Sequence, residues 1–335
     1  MPYEPTDRIP IGQTGVKVTR LGFGCASIGG LFTAVDDADA EAVVHRAWEL
    51  GVRYFDVAPL YGYGAAERRL GRALAGRPRD EFVVSTKVGR LVRRPAEIPP
   101  GADVDPQALD GRPNAYYADI GDRRVVFDYS GDGIRRSVED SLERLGMDRI
   151  DILFIHDPDD HWEAAIGGAY PALARLRDEG VVRAIGAGMN QSAMLARFVR
   201  EADPDVLLLA GRYTLLDQGA LDELLPLCEE GGVAVVVGGV MNSGVLARPA
   251  AGAHFDYQPA DEVIVARVSR LAAICERHGV PLKAAAIQFP LAHPAVAGLV
   301  AGVRKISHLE EYPELMRLEI PAAVWDDLRA EGLIH

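Results

Sequence analysis

Short apolar, β-branched runs alternate with longer stretches of helical apolar spacing from residue 21 almost to the end of the chain. That alternation is the signature of repeated βα units and a parallel sheet. Eight strands are predicted, at Leu21–Cys25, Val52–Asp56, Phe82–Thr86, Ile150–Ile155, Val182–Ala187, Val206–Leu209, Val233–Val237 and Val296–Ala301. The intervening patterns predict helices over Asp37–Leu50, Ala65–Ala75, Gly133–Leu145, Ala164–Glu179, Ser192–Glu201, Gly219–Glu230 and Asp261–His278. Several are followed by a glycine, at Gly51, Gly146, Gly180, Gly231 and Gly279, where a left-handed C-cap carries little strain. Eight parallel strands with alternating helices close most naturally into a barrel, so the expected fold is α/β, a (β/α)8 (TIM) barrel.

Three segments fall outside the alternation. Arg8–Arg20 reads as two short strands around a glycine-containing turn, a hairpin that would plug the bottom of the barrel. Residues 89–130 are rich in Pro, Gly and Asp, and a loop that long is expected to be a functional lid or an insertion. The tail Pro321–His335 carries Val324, Leu328 and Leu333 at the spacing of one amphipathic helix. With no low-complexity linker, residues 1–335 read as a single barrel domain.

Hydrophobic content of 48% and charged content of 25% are those of a globular chain able to bury a large core. A net charge of −13 argues against a nucleic-acid or anionic-membrane partner, which would require a basic face. Cys25, Cys228 and Cys275 are odd in number and widely spaced, which fits small core residues in a reducing compartment. The N-terminus has no basic segment followed by an apolar one, and no apolar run is long enough to span a bilayer. A cytoplasmic location is expected.

The chemistry lies at strand ends. One predicted strand ends on Asp56, with Tyr61 five residues later in a glycine-rich turn; the third apolar run ends on Lys87 and the fourth on His156. In a parallel barrel all strand C-termini open onto one face, so these four groups converge from distant parts of the chain. A cation about 4 Å from a phenol at an effective dielectric near 20 is worth roughly 4 kcal/mol, or about three pKa units. Lys87 could thus bring Tyr61 near neutrality, with Asp56 holding the ammonium and His156 orienting a substrate oxygen.

Gly62-Tyr-Gly-Ala-Ala-Glu67 lacks the third glycine of a dinucleotide fingerprint, and no Walker-type motif occurs. The alternative phosphate cradle is late in the chain, at Gly238–Leu246 after strand seven and Ala301–Ser307 after strand eight, with Arg304 and Lys305 supplying charge. The cluster His156-Asp157-Pro-Asp159-Asp160-His161 raises a metal-dependent hydrolase as a rival. Barrel metal sites usually draw ligands from several strands, and no His-x-His ends the first strand, so no metal is expected.

Leu21-Gly-Phe-Gly-Cys, Gly51-Val-Arg-Tyr-Phe-Asp-Val-Ala-Pro-Leu-Tyr-Gly, Glu67-Arg-Arg-Leu-Gly, Ser85-Thr-Lys and Ser141-Leu-Glu-Arg-Leu-Gly-Met-Asp-Arg-Ile-Asp resemble, in order, the signature segments of the aldo-keto reductase superfamily. The resemblance spans nearly the whole chain. It implies a nicotinamide cofactor lying extended across the barrel top and a catalytic set of Asp56, Tyr61, Lys87 and His156. It implies cofactor contacts at Gly24, Asp56, Met189 and Asn190, the last holding the carboxamide. Further contacts are implied at Gly238, Gly239, Asn242, Gly244 and Leu246, and at Gly302, Arg304 and His308. Met189-Asn190 stands where Ser-Asn is usual, Ala210 where a glutamine is usual, and Gly238 where an aromatic stacks on the nicotinamide. His308 stands where NADP-specific members carry an arginine, so NAD is the expected cofactor, with NADP possible through Arg304.

Val126–Ser137, His156–Asp160 and Ala210–Gln218 are similar to the bacterial branch of aldose 1-dehydrogenases and pyridoxal 4-dehydrogenases. That implies a small polar substrate oxidised at a cyclic hemiacetal carbon to a lactone, with Tyr61 and His156 contacting it and Trp162 and Tyr213 as further contacts. An aldehyde or ketone reductase using the same residues is the nearest alternative, and a cofactor-binding sensor without turnover is the alternative from another class.

Overall fold

The computed structural model describes residues 2–106, 116–118, 120–248, 252–256 and 258–335. Eight parallel strands form a closed barrel. They are β1 (Leu21–Gly24), β2 (Tyr54–Asp56), β3 (Val83–Val88), β4 (Ile152–His156), β5 (Ala184–Met189), β6 (Val206–Ala210), β7 (Ala234–Gly238) and β8 (Val296–Ala301). Each pairs with its sequence neighbour and β8 pairs with β1, so no edge is left open. All eight expected strands are present, seven with shifted boundaries and Val296–Ala301 as expected. β2 starts at Tyr54 because the Val52 N–H is taken by the Ala47 carbonyl at the preceding helix end (3.0 Å). β3 runs on to Val88, which puts Lys87 inside the strand, paired with Phe154 of β4.

Three of the helices start at a side-chain cap. Asp36 accepts from the Asp39 N–H (2.7 Å), Ser130 from Gly133 (3.0 Å) and Asp261 from Ile264 (2.8 Å). Two helices were not foreseen. Leu282–Leu291 is buried from Ala284 through Leu291, so it carries no polar face and no amphipathic signature. Ile306–Arg317 contains Pro313, which reads as a breaker. The expected Gly219–Glu230 helix divides into a 3-10 turn, Gly219–Leu221, and a helix, Leu224–Gly231, closed by left-handed Gly232 rather than by Gly231. The tail forms the expected helix, Ala322–Ala330.

The hairpin pairs Arg8–Pro10 with Lys17–Thr19. Its Ile11, Val16 and Val18 are buried in one cluster with Tyr54, Val83, Ile152, Phe154, Val206 and Val236. These are the inward residues of the barrel, so the hairpin seals its floor. The floor is also tied electrostatically. Asp151, just before β4, is 1% exposed and accepts from Arg79 (2.6 Å), Arg183 (2.6 Å) and the Val84 N–H of β3 (2.8 Å). Within the insertion, Arg90–Arg93 pairs antiparallel with Arg124–Phe127; residues 107–115 and 119 lie outside the described residues.

Candidate active site

Strand register brings the predicted residues together. Gly24 of β1 pairs with Asp56 of β2, Asp56 with Ser85 of β3, and His156 of β4 with Gly188 of β5. Side chains two apart share a face of a strand, so Tyr54 and Asp56 point the same way, as do Ser85 and Lys87. The Lys87 ammonium donates to Asp56 Oδ2 (2.8 Å) and to the Val57 carbonyl (3.0 Å), and both side chains are almost fully buried. It lies 4.7 Å from the centroid of the Tyr61 ring. Tyr61 is partly exposed, its ring 5.9 Å from that of His156 at 86°. Asp56, Lys87, Tyr61 and His156 thus form one contiguous group.

The Tyr61 turn is fixed by close backbone contact. Gly62 has φ +60°, and a Cβ on it would lie 2.2 Å from the Gly29 carbonyl oxygen; a Cβ on Gly29 would lie 2.7 Å from the Tyr61 carbonyl carbon. Only glycines permit this approach. Behind the turn, fully buried Glu67 accepts from Thr86 (3.0 Å), next to Lys87, and from Arg144 (2.5 Å).

His156 is 4% exposed, and its Nδ1 is buried without a hydrogen-bond partner. Burial, with the charges of Arg90 and Lys87 adding to it, holds the imidazole well below its usual titration range, so it is neutral. Its carbonyl oxygen accepts from Tyr129 (3.2 Å) and Arg90 (3.4 Å). Burial, helped by Asp159, pushes the Asp157 carboxyl up to about 6, while Arg90 at 3.5 Å opposes the rise.

The 156–161 cluster divides. Asp157 stays 3.5 Å from His156 Nε2 and faces Arg90, whereas Asp159 accepts from Gln191 and His161 bonds Asp103 (2.8 Å). Among the described residues no three His, Cys, Asp or Glu side chains are grouped to hold a metal ion.

The late loops offer a cradle. Gly238 ends β7 with ordinary van der Waals room above it, and Gly239 (φ +65°) and Gly244 (φ +101°) turn the chain. Asn242 is buried, donates to the Gly211 carbonyl (3.1 Å), and has a buried Oδ1 with no partner. Met189 ends β5 buried and Asn190 follows it half-buried; Leu246 is fully buried. Gly302, Arg304 and Lys305 are exposed between β8 and the helix Ile306–Arg317. Half-buried His308 is held below its ordinary titration range by burial; Lys305, Lys283 and Arg248 push the same way and Glu311 opposes. An orphaned buried acceptor, open glycine backbone and exposed cations suit an extended dinucleotide.

Trp162 and Tyr213, expected as further substrate contacts, each pack on a helix. Trp162 is buried against Phe198 (4.7 Å) with Arg197 over its ring, and Tyr213 is buried against Phe289 (5.4 Å) and His293 (5.9 Å). Two tyrosines from the insertion stand beside the Tyr61–His156 pair: Tyr117, whose ring is 6.2 Å from that of Tyr61, and Tyr129, which donates to the His156 carbonyl. Sequence reasoning missed them because the segment has no periodicity. It also missed Ser85, which donates to Asp56 Oδ1 (2.7 Å), although the alternation Ser85, Lys87 carries that signal.

Residues 20–331 match the profile of the Aldo/keto reductase family. The chain belongs to the aldo/keto reductase family. This aldo/keto reductase is 46% identical over 324 residues to D-threo-aldose 1-dehydrogenase of a Pseudomonas species, covering 96% of each chain. It is 42% identical over 348 residues to pyridoxal 4-dehydrogenase of Microbacterium luteolum, covering 100% of both. An aldo-keto reductase of Bacillus halodurans in its holo form superposes with a TM-score of 0.74 at 25% identity, over 99% of this chain and 97% of that one. The protein is therefore an oxidoreductase acting with a nicotinamide dinucleotide on a small molecule. No helix among the described residues is long and apolar enough to cross a membrane.

Proposed function

We propose that the protein oxidises a cyclic hemiacetal, either an aldose at its anomeric carbon or pyridoxal, to the corresponding lactone, using NAD in the cytoplasm. The observation that carries the reading is the buried Lys87–Asp56 pair beneath the Tyr61 ring, with a neutral His156 set edge-on to it. The resemblance in sequence to an aldose 1-dehydrogenase and a pyridoxal 4-dehydrogenase supports the substrate class.

In this reading Tyr61 is the acid-base group, and it accepts the proton of the hemiacetal hydroxyl as the carbon is oxidised. Lys87, anchored by Asp56, stabilises the negative charge of the phenolate. His156, neutral and held through its own carbonyl by Tyr129 and Arg90, donates to the substrate oxygen and sets its orientation. Asn190, the Gly238–Gly239 turn, Asn242 and Arg304 are the residues that would hold the dinucleotide. When bound, the nicotinamide supplies the hydride acceptor. His308, neutral by burial, adds no charge that would favour a 2′-phosphate, which supports NAD over NADP.

A screen of NAD reduction across L-fucose, D-arabinose, L-galactose, other aldoses and pyridoxal tests this. Turnover with one aldose stereochemical series or with pyridoxal is expected. Efficient reduction of benzaldehyde-type substrates with NADPH, and none of the sugars or pyridoxal oxidised, overturns it in favour of a general aldehyde reductase.

A further inference from the structure

The barrel interior beneath Lys87 holds one polar line in an otherwise apolar packing. Tyr54 is fully buried among Val83, Ile152, Phe154 and Val236, where a phenylalanine would pack equally well. Its ring fills the space above Gly22, where a Cβ would lie 2.6 Å from Tyr54 Cδ1. A phenol hydroxyl buried there costs free energy unless it is bonded. It is bonded, 3.0 Å from Ser85 Oγ.

The polarity of the line follows from counting protons. Ser85 has a single hydroxyl proton, and that proton goes to Asp56 Oδ1 at 2.7 Å, because a carboxylate can only accept. Tyr54 must then be the donor to Ser85. Three groups align as Tyr54 O–H to Ser85 O–H to the Asp56 carboxylate, each bond polarising the next. Beyond Asp56 the line reaches Lys87, two of whose three N–H groups are used by Asp56 Oδ2 and the Val57 carbonyl. The remaining one is free for the Tyr61 side. The terminal torsion of an aspartate is broad and does not fix the carboxylate plane by itself.

We propose that Tyr54 and Ser85 are positioning residues for the reaction: they hold the Asp56 carboxylate in the orientation that presents Oδ2 to Lys87, and through it set where the ammonium stands against Tyr61. The proposal rests on the reading of Tyr61 as the acid-base group. Other titratable groups facing Asp56 and Lys87 are Cys25, Glu67, His156 and Asp157. The Cys25 thiol and the Tyr54 phenol are pushed well above their ordinary ranges by burial and His156 well below, so they do not titrate near neutrality; Asp157, at about 6, does.

The test uses Ser85→Ala, Tyr54→Phe and Ser85→Thr in the full chain, with Asp157→Asn as a background that removes the competing titration. Two quantities are read: the pH profile of kcat and KM for oxidation, and the tyrosinate absorbance of Tyr61 during an alkaline titration without cofactor, taken as the difference from Tyr61→Phe. Ser85→Ala is expected to lower kcat about tenfold at neutral pH with KM within about twofold, since a charge-assisted hydrogen bond is lost away from the substrate. Its rising limb, and the Tyr61 titration, should both move to higher pH. Tyr54→Phe should move them the same way by less, and Ser85→Thr, which keeps the hydroxyl, should restore both. If Ser85→Ala and Tyr54→Phe leave the limb and the titration in place, whatever their effect on folding, the two residues are structural only and the proposal is wrong. Full activity in Tyr61→Phe would instead defeat the acid-base reading, while the cofactor-free titration would still decide whether Ser85 and Tyr54 act on Tyr61.

Discussion

Gly62 sits against Gly29 so closely that a Cβ on Gly62 would come within 2.2 Å of the Gly29 carbonyl oxygen. Two turns from different βα units are thereby pinned to each other, and Tyr61 stands on one of them. Gly62→Ala should force the turns apart and lower kcat by about 10- to 100-fold, the scale expected when a reacting group moves by about 1 Å. Gly76→Ala is the control: its φ of +77° brings the same backbone strain, but no atom lies within 4 Å of the new Cβ. It should lose stability and keep kcat, and equal kcat losses in the two variants would discount the contact.

Tyr61→Phe should bind cofactor with wild-type affinity and lose turnover by a factor on the order of 100 or more. Lys87→Met should cripple the enzyme too, with its residual activity displaced to higher pH. Steady-state kinetics beside a cofactor fluorescence titration check both, and near-normal turnover in Tyr61→Phe removes it from the mechanism.

Removing the floor clamp should cost stability without touching chemistry. Asp151→Ala leaves Arg79 and the Val84 N–H without their buried acceptor, a loss of about 3–5 kcal/mol. Urea unfolding should show it, with kcat of the folded enzyme unchanged; a change under about 1 kcal/mol would mean that solvent replaces the carboxylate.

Asp157 should make stability depend on pH in a specific window. Its carboxyl moves from 3.8 to about 6 on folding, so the folded chain holds that proton more tightly than the unfolded one. The carboxyl therefore favours folding fully below pH 3.8, and that contribution is lost as the pH rises through about 6. Asp157→Asn cannot ionise, so its stability relative to wild type should climb between those values and level off above. The side chain is 26% exposed, which limits the climb to at most about 3 kcal/mol. Thermal unfolding across that range reads it, and a flat difference contradicts it.

Cofactor choice should respond to His308. Replacing the neutral, half-buried imidazole by a guanidinium in His308→Arg should shift the NADP-to-NAD ratio of kcat/KM upward by about tenfold through a charge-assisted contact. A wild-type preference for NADP would point to Arg304 and Lys305 instead.

The barrel was legible because each strand is a short apolar run, and three of these runs finish at a chemically conspicuous residue whose place parallel topology fixes. That rule predicts the convergence of Asp56, Lys87 and His156, and the turn after the second strand adds Tyr61. Leu282–Leu291 was not, since burial on every side erases the contrast between faces that reveals a helix. Trp162 and Tyr213 were legible as residue types but not in their packing, against Phe198 and Phe289, because those partners lie far off in the chain. Tyr117 and Tyr129 reach the site through pairings between loops, which leave no periodic trace.

Ile11, Val16 and Val18 close the barrel from below. The turns after β7 and β8 and the Tyr61–His156 pair stand at the other end, where the strands finish. In the proposed reading a bulkier substrate therefore has to be accommodated by the loops at that end, because the base of the barrel has no give to offer it.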